Sequence, residues 1–294
     1  MKKKLSVIFM TAVSVLGVTA CAGHTGNTSA SNAAEKAKFE AINDAVGMPD
    51  SYSEETDDGF VFEDIEGGVA LFSYDGEDAD VVVPEKFEGK SVVELGMSCF
   101  SLHMREDSIL TSVTLPDSVT VIGENAFGSC YNLTSVNIPN HVTVISRQAF
   151  ANCTNLESIV IPGSVGTIGD WAFLYCENLK SADIGDGVTA IGEKAFQHCT
   201  SLEQVTIPGS VATVGRWAFD ECENLSDVTI EDGVSELADY VFGDCKKLTS
   251  VALPDSITVL GKAFHNCDNI VVTYKGATYT DDNMDDLYGL FEGE

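Results

Sequence analysis

Positive charge is scarce in this chain. Sixteen Lys and Arg stand against 46 Asp and Glu in 294 residues, a formal net charge of -30 at pH 7. A surface of that sign repels phosphates, so nucleic acid and anionic lipid head groups are excluded as partners. The charge also keeps an exported protein in solution, and it leaves room for a basic partner or for cations. No Cys-x-x-Cys pair or close Cys/His pair has ligand spacing, so no metal is expected. The chain has no nucleophile elbow, phosphate loop or paired catalytic carboxylates, so we expect no enzyme and no cofactor. A long hydrophobic run is missing too. The stretch from Leu5 to Val18 is too short, and too interrupted by Ser6, Thr11 and Ser14, to span a membrane.

The chain does have a period. Leu110, Leu133, Leu156, Leu179, Leu202, Leu225 and Leu248 are spaced by 23 residues. Phe127, Phe150, Phe173, Phe196, Phe219 and Phe242 keep the same step. A repeat of this length means a solenoid, in which no coil can bury its apolar face without the next. Function then resides in columns of exposed residues rather than in a pocket.

Within one unit, Leu133-x-x-Val136-x-Ile138-Pro139 alternates like a short strand that Pro139 ends. Val142 to Ile145 makes a second short extended segment. In most coils a glycine follows (Gly123, Gly169, Gly192, Gly215), at a corner where a Cβ would crowd. Ala149-Phe150 then enters the core on a helical turn or tight loop. The expected architecture is a single β-rich solenoid from about residue 59 to 275, with strands on one face and Phe and Cys columns inside.

Nine cysteines in an exported protein would normally suggest disulfides. Here Cys130, Cys153, Cys176, Cys199, Cys222, Cys245 and Cys267 hold one equivalent position per coil. Parallel Cβ vectors in register disfavour bridging, and Cys packs well as a small hydrophobe. We therefore expect a reduced, buried ladder.

The unit Leu-x-x-Val-x-Ile-Pro, Ile-Gly, Ala-Phe-x-x-Cys resembles the BspA-like branch of the leucine-rich repeats, over nearly all of residues 110–269. A degenerate earlier unit runs from Val81 through Leu95-Gly96 to Cys99-Phe100, with His103 at the cysteine position. The resulting division is a signal peptide (1–20), a lipidated N-terminus and stalk (21–58), and an N-terminal cap with a degenerate repeat (59–109). Seven repeats (110–269) and a C-terminal cap (270–294) follow. In the last segment Met284, Leu287, Tyr288 and Phe291 share one face of an expected helix.

The leader begins Lys2-Lys3-Lys4 and ends Val18-Thr19-Ala20-Cys21, which resembles the lipobox of bacterial lipoproteins. That resemblance makes Cys21 the lipid attachment site and confines membrane contact to the lipid. The alternative is ordinary cleavage after Ala20, which leaves a free thiol. The repeat resemblance implies a bacterial surface or secreted protein that works by contact, sometimes as an adhesin. Its partner would be a protein on a host or neighbouring cell. Glycan binding and a ligand-free envelope spacer are the competing readings, and a monomer is expected.

Stacking turns the period into rows. One row is Glu124, Arg147, Asp170, Glu193, Arg216, Asp239, in which the arginines alternate with acids and set register. The adjoining row is Asn125, Gln148, Trp171, Lys194, Trp217, Tyr240, and it holds both tryptophans of the chain. Trp171, Arg216, Trp217 and Tyr240 are the candidate binding residues, because Trp, Tyr and Arg anchor interfaces. The alternative is that each indole lies flat over a neighbouring Lys or Phe edge and fills a corner. A third row, Thr111, Thr134, Glu157, Lys180, Glu203, Ser226, Thr249, reads as a solvated strand face.

Overall fold

A computed structural model describes residues 58–100, 103 and 107–291. The signal peptide, Cys21 and the stalk through 57 lie outside the described residues.

Each 23-residue unit contributes two short strands and one tight turn. The first strands stack in parallel as Ser158–Ile161, Ser181–Ile184, Gln204–Ile207 and Asp227–Ile230. The register advances one repeat per strand, pairing Ser158 with Ser181 and Ile161 with Ile184. Side chains alternate across the pleat, so Ile159 and Ile161 are buried while Ser158 and Val160 face water.

The second extended segment pairs as well. Val144–Ile145, Thr167–Ile168, Ala190–Ile191, Thr213–Val214, Glu236–Leu237 and Val259–Leu260 form successive strands of a longer sheet. Strands therefore occupy two faces rather than the one expected. The reason is that one buried aliphatic per coil (Ile145, Ile168, Ile191, Val214, Leu237, Leu260) suffices to hold a two-residue backbone ladder when the next coil is in register. This long sheet starts from an antiparallel pair, Phe60–Ile65 with Gly68–Tyr74. The long sheet ends at Val259–Leu260, and in a separate sheet Val271–Tyr274 pairs parallel with Ser250–Ala252 and antiparallel with Ala277–Tyr279, followed by the helix Met284–Gly289.

The corner glycines are sterically required where they occur. A Cβ on Gly169 would lie 2.6 Å from the carbonyl carbon of Ser146, and one on Gly215 2.7 Å from the Glu193 nitrogen. Ser146 and Ala238 occupy the same corner in other coils.

Inside, the phenylalanines form one continuous stack. Phe127, Phe150, Phe173 and Phe196 are fully buried, with successive ring centroids 5.0 Å apart and planes within 8° of parallel. Burying each ring contributes about 1.5–3 kcal/mol. The eight described cysteines are free and buried. Cys99 and Phe100 continue the core into the degenerate unit, where the His103 ring fills the cysteine position. It lies over Tyr74 at 5.3 Å, with Nδ1 3.1 Å from Ser108 Oγ.

The C-terminal helix closes the last coil. In the coils before it, each Phe N–H donates to the alanine-position carbonyl one coil on, as Phe219 does to Val241 and Phe242 to Ala263. Phe264 has no further coil, and its N–H donates to Tyr288 Oη instead. Leu287 and Tyr288 are buried, and Met284 and Phe291 pack on the same core.

Candidate functional site

The row with both tryptophans lies at the start of the Ala-Phe turn, and its backbone is unusual throughout. Asn125, Gln148, Trp171, Lys194, Trp217 and Tyr240 all have φ between 55° and 61°. Left-handed geometry costs a non-glycine residue about 1–2 kcal/mol. It aims the N–H along the solenoid axis: Trp171 donates to the Glu193 carbonyl at 2.8 Å, and Trp217 to that of Asp239 at 3.1 Å. Phe173 and Tyr175 donate forward in the same way, to Ala195 and Gln197. The turn is therefore a third hydrogen-bonded ladder between coils, and it fixes the backbone that carries the aromatic row.

The candidate side chains form a column. The Arg147 guanidinium lies over the Trp171 ring, 4.0 Å from its centroid. Lys194 Nζ and the Arg216 guanidinium each lie 4.9 Å from the Trp217 centroid. Trp217 and Tyr240 stack at 5.8 Å with planes 8° apart, and His265 meets Tyr240 edge-on at 5.2 Å. Trp171, Trp217 and Tyr240 are half-buried and Arg216 is exposed. The indoles lie against neighbours: Lys194, of the kind the corner-filling alternative named, is one, and Arg147, Arg216 and Tyr240 are the others. A cation over an indole face is worth about 0.5–1 kcal/mol at an exposed site.

The charged row is less regular than simple alternation. Arg147 pairs back to Glu124 at 3.3 Å, and Arg216 pairs forward to Asp239 at 2.6 Å. The Arg216 hydrogen bond holds the Asp239 carboxyl below its usual range, helped by the Lys262 N–H. Asp170 and Glu193 follow each other in the stack, and among the described residues no cation lies within ion-pair distance of either. Asp170 Oδ1 instead accepts the Glu193 N–H at 2.8 Å.

Beyond the turn, Tyr175 stacks on His198 at 4.4 Å, and His198 Nδ1 lies 3.2 Å from Glu221 Oε2. Between the two ridges Asp220 is buried and takes a hydrogen bond from Gln197 Nε2 at 2.7 Å. Burial raises its pKa despite that donor.

Two features are missing from the rows read in the sequence. Asn178 Nδ2 donates to Asn155 Oδ1 at 3.0 Å, and Asn155 in turn to Asn132 at 3.4 Å, making an amide ladder. The 23-residue spacing of those asparagines was the available signal. The ring pair Tyr175–His198 carries the same 23-residue spacing, although the row it belongs to, Asn152, Tyr175, His198, Glu221, has no common chemical character.

Residues 93–216 and 167–280 match the family model described as a BspA type leucine rich repeat region, in six copies. Among solved structures, a leucine-rich repeat protein of T. pallidum is 29% identical with a TM-score of 0.61. The match covers 67% of this chain and 91% of that one. A leucine-rich repeat protein of Bacteroides ovatus has the same fold at 23% identity and a TM-score of 0.54, over 75% of this chain and 65% of that one. No curated protein matches the sequence.

Proposed function

We propose that this chain, which belongs to the BspA-type leucine-rich repeat family, is a protein-binding module at the outer face of a bacterial cell. Stacked-repeat solenoids present extended surfaces for contact. The leader and its Cys21 support anchoring by lipid, which would place the solenoid where it can meet a host or neighbouring cell as an adhesin.

The observation that carries this reading is the column of Trp171, Trp217 and Tyr240 with Arg147, Lys194 and Arg216. Interface energy concentrates in Trp, Tyr and Arg. Four of the seven cations between residues 110 and 269 (Arg147, Lys194, Arg216 and Lys262) fall in these two rows. The same column disfavours the glycan alternative, because a sugar ring stacks on an open aromatic face. One face of Trp171 is under Arg147, while Trp217 is flanked by cations and Tyr240.

The test is a binding screen against extracellular matrix proteins beside a glycan array, using wild type and a Trp171→Ala, Trp217→Ala double variant. Binding to a protein, lost in the double variant while the circular dichroism spectrum is unchanged, is the expected result. Glycan binding alone, or protein binding indifferent to both tryptophans, overturns the reading.

A further inference from the structure

One buried carboxylate stands behind the stacked ring pair of the column. Among the described residues Asp220 is the only buried acid. It follows Phe219, at a position that other coils fill with the uncharged Gly128, Ala151, Leu174, Gln197 and Gly243. Its place joins two turns. The Asp220 N–H donates to the Trp217 carbonyl at 3.2 Å, within the turn that carries that indole. Its Oδ1 lies over Gly243 in the next coil, where a Cβ would come within 2.4 Å of it. Gly243 donates its own N–H to the Tyr240 carbonyl at 3.0 Å. The carboxyl therefore packs between the turns whose rings, Trp217 and Tyr240, stack at 5.8 Å.

The surroundings do little for a negative charge there. Gln197 Nε2, from the preceding coil, donates to Oδ2 at 2.7 Å. His198 of that coil faces the carboxyl but is engaged with Glu221, 3.2 Å away. Glu221 beside it and Asp244 from the following coil add like charge, although Lys246 and Asn266 hold Asp244. The thiols of Cys222 and Cys245, which also feel the carboxylate, are held neutral by their own burial. Burial raises the Asp220 pKa, and Glu221 and Asp244 add to the shift. A buried carboxylate short of donors must hydrate or move, whereas a protonated carboxyl can stay enclosed.

We infer that Asp220 positions the Trp217–Tyr240 pair and makes its arrangement depend on pH. Protonated Asp220 fills the space over Gly243 and holds the two turns together. Ionised Asp220 draws water between them, and the pair loosens as pH rises. The consequence for binding rests on the column being the contact surface: a partner that uses Trp217 and Tyr240 is held more tightly in acid.

The test uses the full chain with Trp171→Phe, which leaves Trp217 as its sole tryptophan. As pH rises from 4 to 7, the Trp217 emission should shift to the red and its quenching by acrylamide should increase. Asp220→Asn, which keeps an oxygen for Gln197, should abolish that titration and hold the spectrum near its acid form. His198→Gln should leave the titration in place. An emission independent of pH, a titration that survives Asp220→Asn, or one that His198→Gln removes overturns the inference. A side chain that merely supports the fold would change stability in Asp220→Asn without touching the Trp217 titration. The measurement needs no partner, so it can fail while capture by the column stands. For a matrix protein captured in the screen, binding by wild type should be tighter at pH 5 than at pH 7, and Asp220→Asn should bind equally at both. Equal binding by wild type at the two pH values overturns the link to capture. If Trp171→Ala, Trp217→Ala leaves capture intact, the column reading fails, and the titration still decides the role of Asp220.

Discussion

The thiol of Cys176 donates to the carbonyl oxygen of Phe150 at 3.3 Å, 26 residues earlier in the chain. The same carbonyl accepts the N–H of Cys153 at 3.2 Å, so the turn uses one lone pair and the next coil's thiol the other. Cys199, Cys222 and Cys245 repeat the contact at 3.2–3.3 Å. The cysteine column is thus a set of weak donors between coils as well as a small apolar ladder. Cys176→Ala removes the donor and opens a small void, and should cost about 1–2 kcal/mol. Urea unfolding of the variant beside wild type measures it.

Burial raises the pKa of every thiol in the ladder, since a thiolate would lose its hydration without gaining a counter-charge. Cys267, at the end of the stack, is raised to about 11. A thiol reagent at pH 8 should therefore leave the repeat cysteines unmodified in the folded protein and label them all in urea. Under partial denaturation Cys267 should be the first of the ladder to react, as peptide mapping would show.

Tyr288→Phe tests the cap. The variant keeps the ring that packs on the last coil but removes the oxygen that accepts the Phe264 N–H. An unsatisfied buried donor costs about 1–3 kcal/mol. Amide exchange at Phe264 should accelerate, while Phe173 and Phe196 in the middle of the stack stay protected.

Asp220 makes stability depend on pH. Burial raises its folded-state pKa, so the protonated form is favoured in the folded protein and the folded state is penalised as pH rises through that raised value. Asp220→Asn keeps an oxygen for Gln197 and carries no charge. It should be more stable than wild type at pH 7, with the difference shrinking as pH falls below the raised pKa. Urea midpoints at several pH values between 4 and 7 decide this, and an advantage that grows toward acid would reverse the argument.

For the column, Trp171→Ala should cost less stability than Phe173→Ala. Trp171 is half-buried, whereas Phe173 is fully enclosed between two rings. Truncating the phenylalanine should cost about 3–5 kcal/mol, against about 1 kcal/mol for the tryptophan. Thermal melts of the two single variants compare them.

The spacing of Leu133, Phe150 and Cys153 was enough to define a 23-residue coil and to put those residues inside, because a strict period leaves an apolar side chain only one way to be buried in every coil at once. It likewise placed Trp171 and Trp217 in one row beside Arg216. The geometry of that row had to come from the folded chain. Of Asn125, Gln148, Trp171 and Lys194 only the asparagine favours a left-handed backbone by residue type, yet all four share it. That conformation is imposed by the N–H bonds each makes to the next coil. Nor could the row order say that Arg147 would turn to Glu124, Arg216 to Asp239, and neither to the carboxylates between them. A period determines which residues are neighbours. Which neighbour an exposed side chain chooses depends on rotamers, ring faces and small electrostatic differences of about 1 kcal/mol or less, and those exist only once the coils are stacked.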